Sequence, residues 1–127
     1  MATGIHKKGV ADEFLEHAQQ EEGHAAQIAE RIRQLGGAPN FDPNGLTARS
    51  HSDFVQGSTL AEMIEENLIA ERIAIDSYRE IVQYLGDKDP TTRVLFEEIL
   101  AKEEEHADDL SSMLMTLDPS KRPSRAA

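Results

Sequence analysis

Three amphipathic stretches of this chain each carry an apolar stripe interrupted by a glutamate: Glu21, Glu71 and Glu103, the last followed in its stripe by His106. The first stripe runs Phe14, Ala18, Glu21, Ala25, Ile28, Ile32 and Leu35. The second runs Leu60, Ile64, Leu68, Glu71, Ile75, Tyr78, Val82 and Leu85, and the third Phe96, Ile99, Glu103, His106, Leu110, Met113 and Leu117. Steps of three and four define helices with a core-facing seam, so three carboxylates are placed among apolar side chains. An ionised carboxylate removed from water without a partner costs several kcal/mol, and three together rival the roughly 5 to 15 kcal/mol that stabilises a whole domain. Something cationic has to meet them.

The helices have readable ends. Gly36-Gly37 followed by Pro39 stops the first, the glycines supplying left-handed backbone and the proline preventing continuation. Thr59, or Ser58 before it, caps the second, with Glu62 completing a capping box, and Gly86 ends it. Pro90 sits at a favoured first position of the third, which stops before Pro119. The expected fold is all-α: three long helices at about 10–35, 59–85 and 90–117, in one helical domain over 10–117. A disordered N-terminus (1–9) and a flexible tail (118–127) flank it. Helices of this length reach about 39 Å at 1.5 Å per residue. The short Gly86–Asp89 link makes the second and third antiparallel. The connector from Gly36 to Gly57 is long enough to cross a whole helix length, so the first and second can run parallel. Phe41, Leu46 and Phe54 are expected to pack that connector onto the bundle.

Composition narrows the cation. The 127 residues hold no cysteine, which removes disulfides and every thiolate metal site, so any ion is held by oxygen and nitrogen. Thirteen Lys plus Arg against 24 Asp plus Glu leave a net charge of −11, which attracts cations and repels nucleic acid and anionic membranes. Its nearest approach to a basic tail is Lys7, Lys8, Lys121, Arg122 and Arg125. There is no signal-like apolar segment at the start and no run approaching the roughly 18 apolar residues of a membrane span, so a soluble cytoplasmic protein without membrane or nucleic-acid partners is expected.

Two of the seam glutamates have a histidine three residues on, Glu21-x-x-His24 and Glu103-x-x-His106, and that spacing puts both side chains on one helix face. Glutamate is abundant here, so the bare motif carries little weight; its position in apolar seams carries more. Carboxylate with imidazole suits iron or manganese. His17, seven residues before His24, is assigned a surface role, Tyr78 a core one, and Glu22, Glu104 and Glu105 solvated faces.

The arrangement resembles the ferritin-like di-iron carboxylate family, and within it the bacterioferritins, from Ala11 to about Leu114. Glu21-Glu22-Gly23-His24-Ala25 with Leu35-Gly36-Gly37-Ala38-Pro39 is similar to one helix and its exit. Asn67-Leu68-Ile69-Ala70-Glu71-Arg72 and Ile99-Leu100-Ala101-Lys102-Glu103-Glu104-Glu105-His106 are similar to the next two. The resemblance implies two iron ions, with Glu21 and Glu103 bridging, His24 on one ion, and Glu71 with His106 on the other. It also implies ferroxidase activity carried by Glu21, Glu71 and Glu103, for iron storage or detoxification, in a homo-oligomer. Glu22 stands where a haem-ligating methionine is found in bacterioferritins, so haem is not expected. Such proteins begin with a helix bearing a fourth glutamate, whereas the residues before Val10 hold no acid; the expectation is that this helix is missing and the His24 position weakened. Manganese in a catalase-like enzyme, or a non-catalytic helical assembly module, are the alternative readings.

Overall fold

The computed structural model describes residues 4–44 and 59–121. They form α1 (Gly4–Gln34), α2 (Leu60–Leu85) and α3 (Pro90–Leu117), with a 3-10 turn at Pro119–Lys121 and, among the described residues, no strand. The all-α architecture expected from periodicity is the one observed. None of these helices is long and apolar enough to cross a membrane.

Local signals act as read for α2 and α3. The Thr59 hydroxyl accepts from the Glu62 amide while the Glu62 carboxylate accepts from the Thr59 amide, closing the capping box. Gly86 leaves α2 at φ 47°, where a side chain would be strained. Asp89 caps α3 through the Thr92 amide, with Pro90 in the first turn. At the end of α1, Gly36 takes φ 85°. A Cβ on Gly37 would lie 2.9 Å from Ile32 Cγ2, so the glycine pair permits both the reversal and the close return of the chain.

Helix directions follow from what touches what. Val10, Ile64, Leu68, Leu110 and Leu114 make one buried cluster, which joins the starts of α1 and α2 to the end of α3. At the opposite end Arg31 reaches Asp89 and Thr92 at the start of α3. Hence α2 and α3 are antiparallel, and α1 runs parallel to α2. The α2–α3 pair is packed along its length, while α1 lies against α3 more sparsely.

Three expectations need correction. The first helix begins at Gly4 rather than Val10, into the stretch 1–9 read as disordered. Phe41 is 78% exposed and does not pack the connector onto the bundle; Leu46, Phe54, Ser58 and the tail beyond Lys121 lie outside the described residues. The seam of α1 is also different. Its inward edge is Val10, Phe14, His17, Glu21, His24, Ile28 and Arg31, while Ala18, Ala25, Ile32 and Leu35 are exposed. Two apolar edges lie side by side on this helix, and small alanines compete poorly against longer side chains for the inner one.

Candidate metal centre

Each helix delivers its polar residues at a seam position flanked by apolar turns. Glu103 follows Ile99 and precedes Leu110 on α3, both essentially fully buried, and is itself 1% exposed. His106, one turn on, is also 1% exposed. Glu71 enters from α2 between Leu68 and Ile75, and Glu21 and His24 enter from α1. All five residues singled out in the sequence therefore converge on one place.

The two histidines meet the carboxylates from two different helices, α1 and α3. His24 Nδ1 hydrogen-bonds Glu103 Oε1 at 3.1 Å and lies 3.8 Å from Glu21 Oε1. His106 Nδ1 lies 3.3 Å from Glu21 Oε1, 3.7 Å from Glu71 Oε1 and 3.8 Å from Glu103 Oε2. Glu21 and Glu103 thus face both rings, with Glu103 presenting a different oxygen to each. Glu21, Glu71, Glu103 and His106 each offer a ligand atom within 4.8 Å of the other three. Two atoms at the centre, Glu21 Oε1 and His106 Nδ1, are buried without a hydrogen-bond partner. Buried polar atoms are ordinarily satisfied, and an acceptor facing a ring nitrogen across such a gap is an arrangement that a cation completes.

Electrostatics agree with the geometry. Burial pushes the Glu103 carboxyl up to about 11, and the adjoining Glu71 and Glu21 carboxylates push the same way. Burial, reinforced by the neighbouring His17, lowers His106, so its ring is neutral and has a lone pair available to a metal. Tyr78 is raised to about 12 by burial and then by the charges of Glu103, Glu21 and Glu71; it stays protonated beside Phe96, ring centroids 5.9 Å apart.

Sequence reasoning missed four residues around this centre. Gln20 Oε1 bonds His106 Nε2 and fixes which ring nitrogen faces the carboxylates. His17, read as a surface residue, is 7% exposed and stacks on His106 with centroids 4.0 Å apart. Its Nε2 lies 3.0 Å from Glu13 Oε1 and 3.7 Å from Asp109 Oδ2. The unbroken 4-3-4-3 spacing of Val10, Phe14, His17, Glu21, His24, Ile28 and Arg31 was a signal for His17. The four-residue step from Glu13 to His17 and the three-residue step from His106 to Asp109 were signals for the acids. Gln20 had none.

A helical bundle with glutamates and Glu-x-x-His pairs turned inward defines the class of ferritin-like carboxylate proteins. The sequence matches the ferritin-like domain over residues 1–119, and the chain belongs to that family. It is 35% identical over 111 residues to the bacterioferritin of Mycobacterium avium, a match covering 84% of this chain and 65% of that protein. A nutrient stress-induced DNA-binding protein of Nostoc sp. is 36% identical over 98 residues, covering 72% and 51%. Among solved structures, a dodecameric thioferritin, the bacterioferritin-related protein from Bacteroides fragilis, superposes with a TM-score of 0.85 at 33% identity, covering 95% of this chain and 72% of that one. The chain thus spans between a little over half and just under two thirds of the length of the bacterioferritins it matches.

Proposed function

We propose that Glu21, His24, Glu71, Glu103 and His106 bind a pair of ferrous ions and that the protein oxidises them for storage or detoxification. Iron is here the cargo and substrate. The observation that supports the reading best is Glu103: a carboxylate 1% exposed, its two oxygens turned to histidines from two helices. Such a group is suited to bridging two cations. Glu21, which also faces both rings, is suited to the second bridge, and Glu71, which faces His106, to the ion on that side. The ion beside His24 has fewer protein donors, because His24 stands outside the group of four whose ligand atoms lie within 4.8 Å of one another.

Bound ferrous ions supply electrons to oxygen or peroxide. The chain's part is to hold the donors in place, to keep His106 neutral through burial, and to release the proton that Glu103 carries when no cation is present. The donor set also fits manganese; metal analysis of purified protein with a peroxide-dismutation assay separates a catalase-like activity from a ferroxidase. The Bacteroides fragilis neighbour is dodecameric, and we take self-assembly to be the working state of this chain as well. The Nostoc relative is named for DNA binding; a net charge of −11 argues against that role here.

The test is an anaerobic ferrous titration followed by oxygen. Wild type is expected to bind two ions per chain, the one beside His106 tightly and the one beside His24 more weakly, and to oxidise them. Glu103→Ala should lose both, whereas His24→Ala should lose the ion on its own side and keep the other. Equal losses in the two variants would overturn the assignment of roles, and a melting temperature indifferent to iron would favour a non-catalytic assembly module.

A further inference from the structure

A second cluster of ligand-type side chains lies beside the first. His17 places Nε2 3.0 Å from Glu13 Oε1, one turn before it on α1, and 3.7 Å from Asp109 Oδ2 on α3. These three residues each offer a ligand atom within 4.8 Å of the other two. A histidine bonded to one carboxylate is a common structural pair. The second carboxylate, Asp109 from another helix, meets Glu13 as well as the ring, and burial together with that contact raises the Glu13 carboxyl, so two acids crowd one imidazole. Two carboxylates and one imidazole are instead a donor set for a first-row divalent cation.

An independent observation links this cluster to the inner one. The His17 ring stacks on His106 at 4.0 Å and 17°. His17, Glu71 and His106 form a further group whose ligand atoms lie within 4.8 Å of one another. His106 is 1% exposed and its Nδ1 has no partner. Ligand atoms therefore continue without interruption from the buried centre to Glu13 and Asp109, whose side chains reach solvent at 29% and 42% exposure.

We propose that Glu13, His17 and Asp109 form a second divalent-cation site, an outer station from which a ferrous ion passes inward by way of His17, Glu71 and His106. Cation binding at the outer station stands apart from what the inner cluster does; the passage inward rests on the ferrous-ion reading given above. Two partly exposed carboxylates on a chain of net charge −11 concentrate cations at this mouth. The buried His17 ring, 7% exposed, holds the station's position.

The experiment is anaerobic titration calorimetry of the full chain with Fe2+, and with redox-inert Zn2+. It compares wild type, the double variant Glu13→Gln/Asp109→Asn, and Glu103→Gln, each checked for unchanged helical circular dichroism. The outer variant is expected to keep the inner isotherm while its outer binding weakens at least about 10-fold. Stopped-flow loading of the inner site at substoichiometric Fe2+ should slow by about 10-fold. Glu103→Gln should keep the outer isotherm and lose the inner one. An outer variant that binds the same number of ions with the same affinities and loads at the same rate as wild type overturns the proposal. So does one that loses inner and outer binding together, since that describes a single site. If only Glu103→Gln behaves as wild type, it is the inner-cluster reading that fails, and the outer station still stands or falls on its own variant.

Discussion

Glu103 is a carboxyl group held between Ile99 and Leu110 with two other carboxylates beside it, and without a cation it keeps its proton. The raised value has a consequence for the metal-free protein. An unfolded Glu103 titrates near 4.5 and the folded one near 11, so above 4.5 the folded state holds a proton that the unfolded state has released. Stability contributed by this group is whole below 4.5 and declines as pH rises towards 11. His106 acts oppositely: its lowered value costs stability as pH falls below its ordinary 6.5. Between pH 7.5 and 8.5 even an unfolded His106 has largely lost its proton and the Glu103 slope dominates this pair, at about 1.4 kcal/mol per pH unit. The melting temperature of the metal-free protein is therefore expected to drop by several degrees per unit across that window, and Glu103→Gln to flatten the slope. Calorimetry at four pH values checks it. A flat wild-type profile would mean that Glu103 is ionised in the metal-free fold and the three carboxylates are not clustered. Iron loading should raise stability, by about 2.7 kcal/mol at a hundredfold excess over the dissociation constant, and remove the slope.

At the scale of elements, α1 is the weakly held member of the three, and one side chain ties its far end. Arg31 donates from Nε to Thr92 Oγ1 at 2.8 Å and from Nη2 to Asp89 at 3.3 Å, both at the start of α3. The pair is half-buried, so it counts for more than a surface ion pair, yet solvent still screens it. Arg31→Met keeps an unbranched stem like arginine's aliphatic part and loses the bonds to Thr92 and Asp89; a destabilisation of about 1–2 kcal/mol is expected. Ferrous affinity should fall with it, since α1 carries Glu21 and His24. Thermal melts and iron titration of the variant decide, and unchanged iron affinity would show that the inner packing of α1 holds its ligands without Arg31. The same helix explains what was legible in advance. Large branched residues at Ile64, Leu68, Ile75, Ile99 and Leu110 leave one choice of seam, so α2 and α3, their caps and the places of Glu71, Glu103 and His106 could be read from spacing. On α1 the alanines at 18 and 25 stand one residue after His17 and His24 and fit a periodic pattern equally well. A seam drawn through alanine hides His17, although Glu21 and His24, at the border between the two edges, survive the shift. The early start at Gly4 had no first-turn acid to announce it.

The second edge of α1 matters at the scale of the whole molecule. Leu15, Ala18, Ala25 and Ile32 recur at steps of three and seven along an exposed edge of α1 that lies beside its buried one, and Leu35 extends them; Leu15 and Leu35 are each 59% exposed. Scattered apolar residues on a surface need no explanation, but a stripe recurring along four turns of one helix, broken only by Glu22, favours association. Alanines at its middle let another helix approach closely, and a second copy of this chain presents the same stripe, so a self-complementary contact about a twofold axis would cover both at once. The expected outcome is a dimer or larger assembly by light scattering at micromolar concentration, from a chain of 14.1 kDa. Leu15→Glu/Ile32→Glu adds like charge to a stripe that already carries Glu22 between Ala18 and Ala25, and should shift the population to monomer without disturbing Glu103 or His106, which are buried on α3. Wild-type protein that stays monomeric, or a double variant whose assembly is unchanged, would remove this face as the contact.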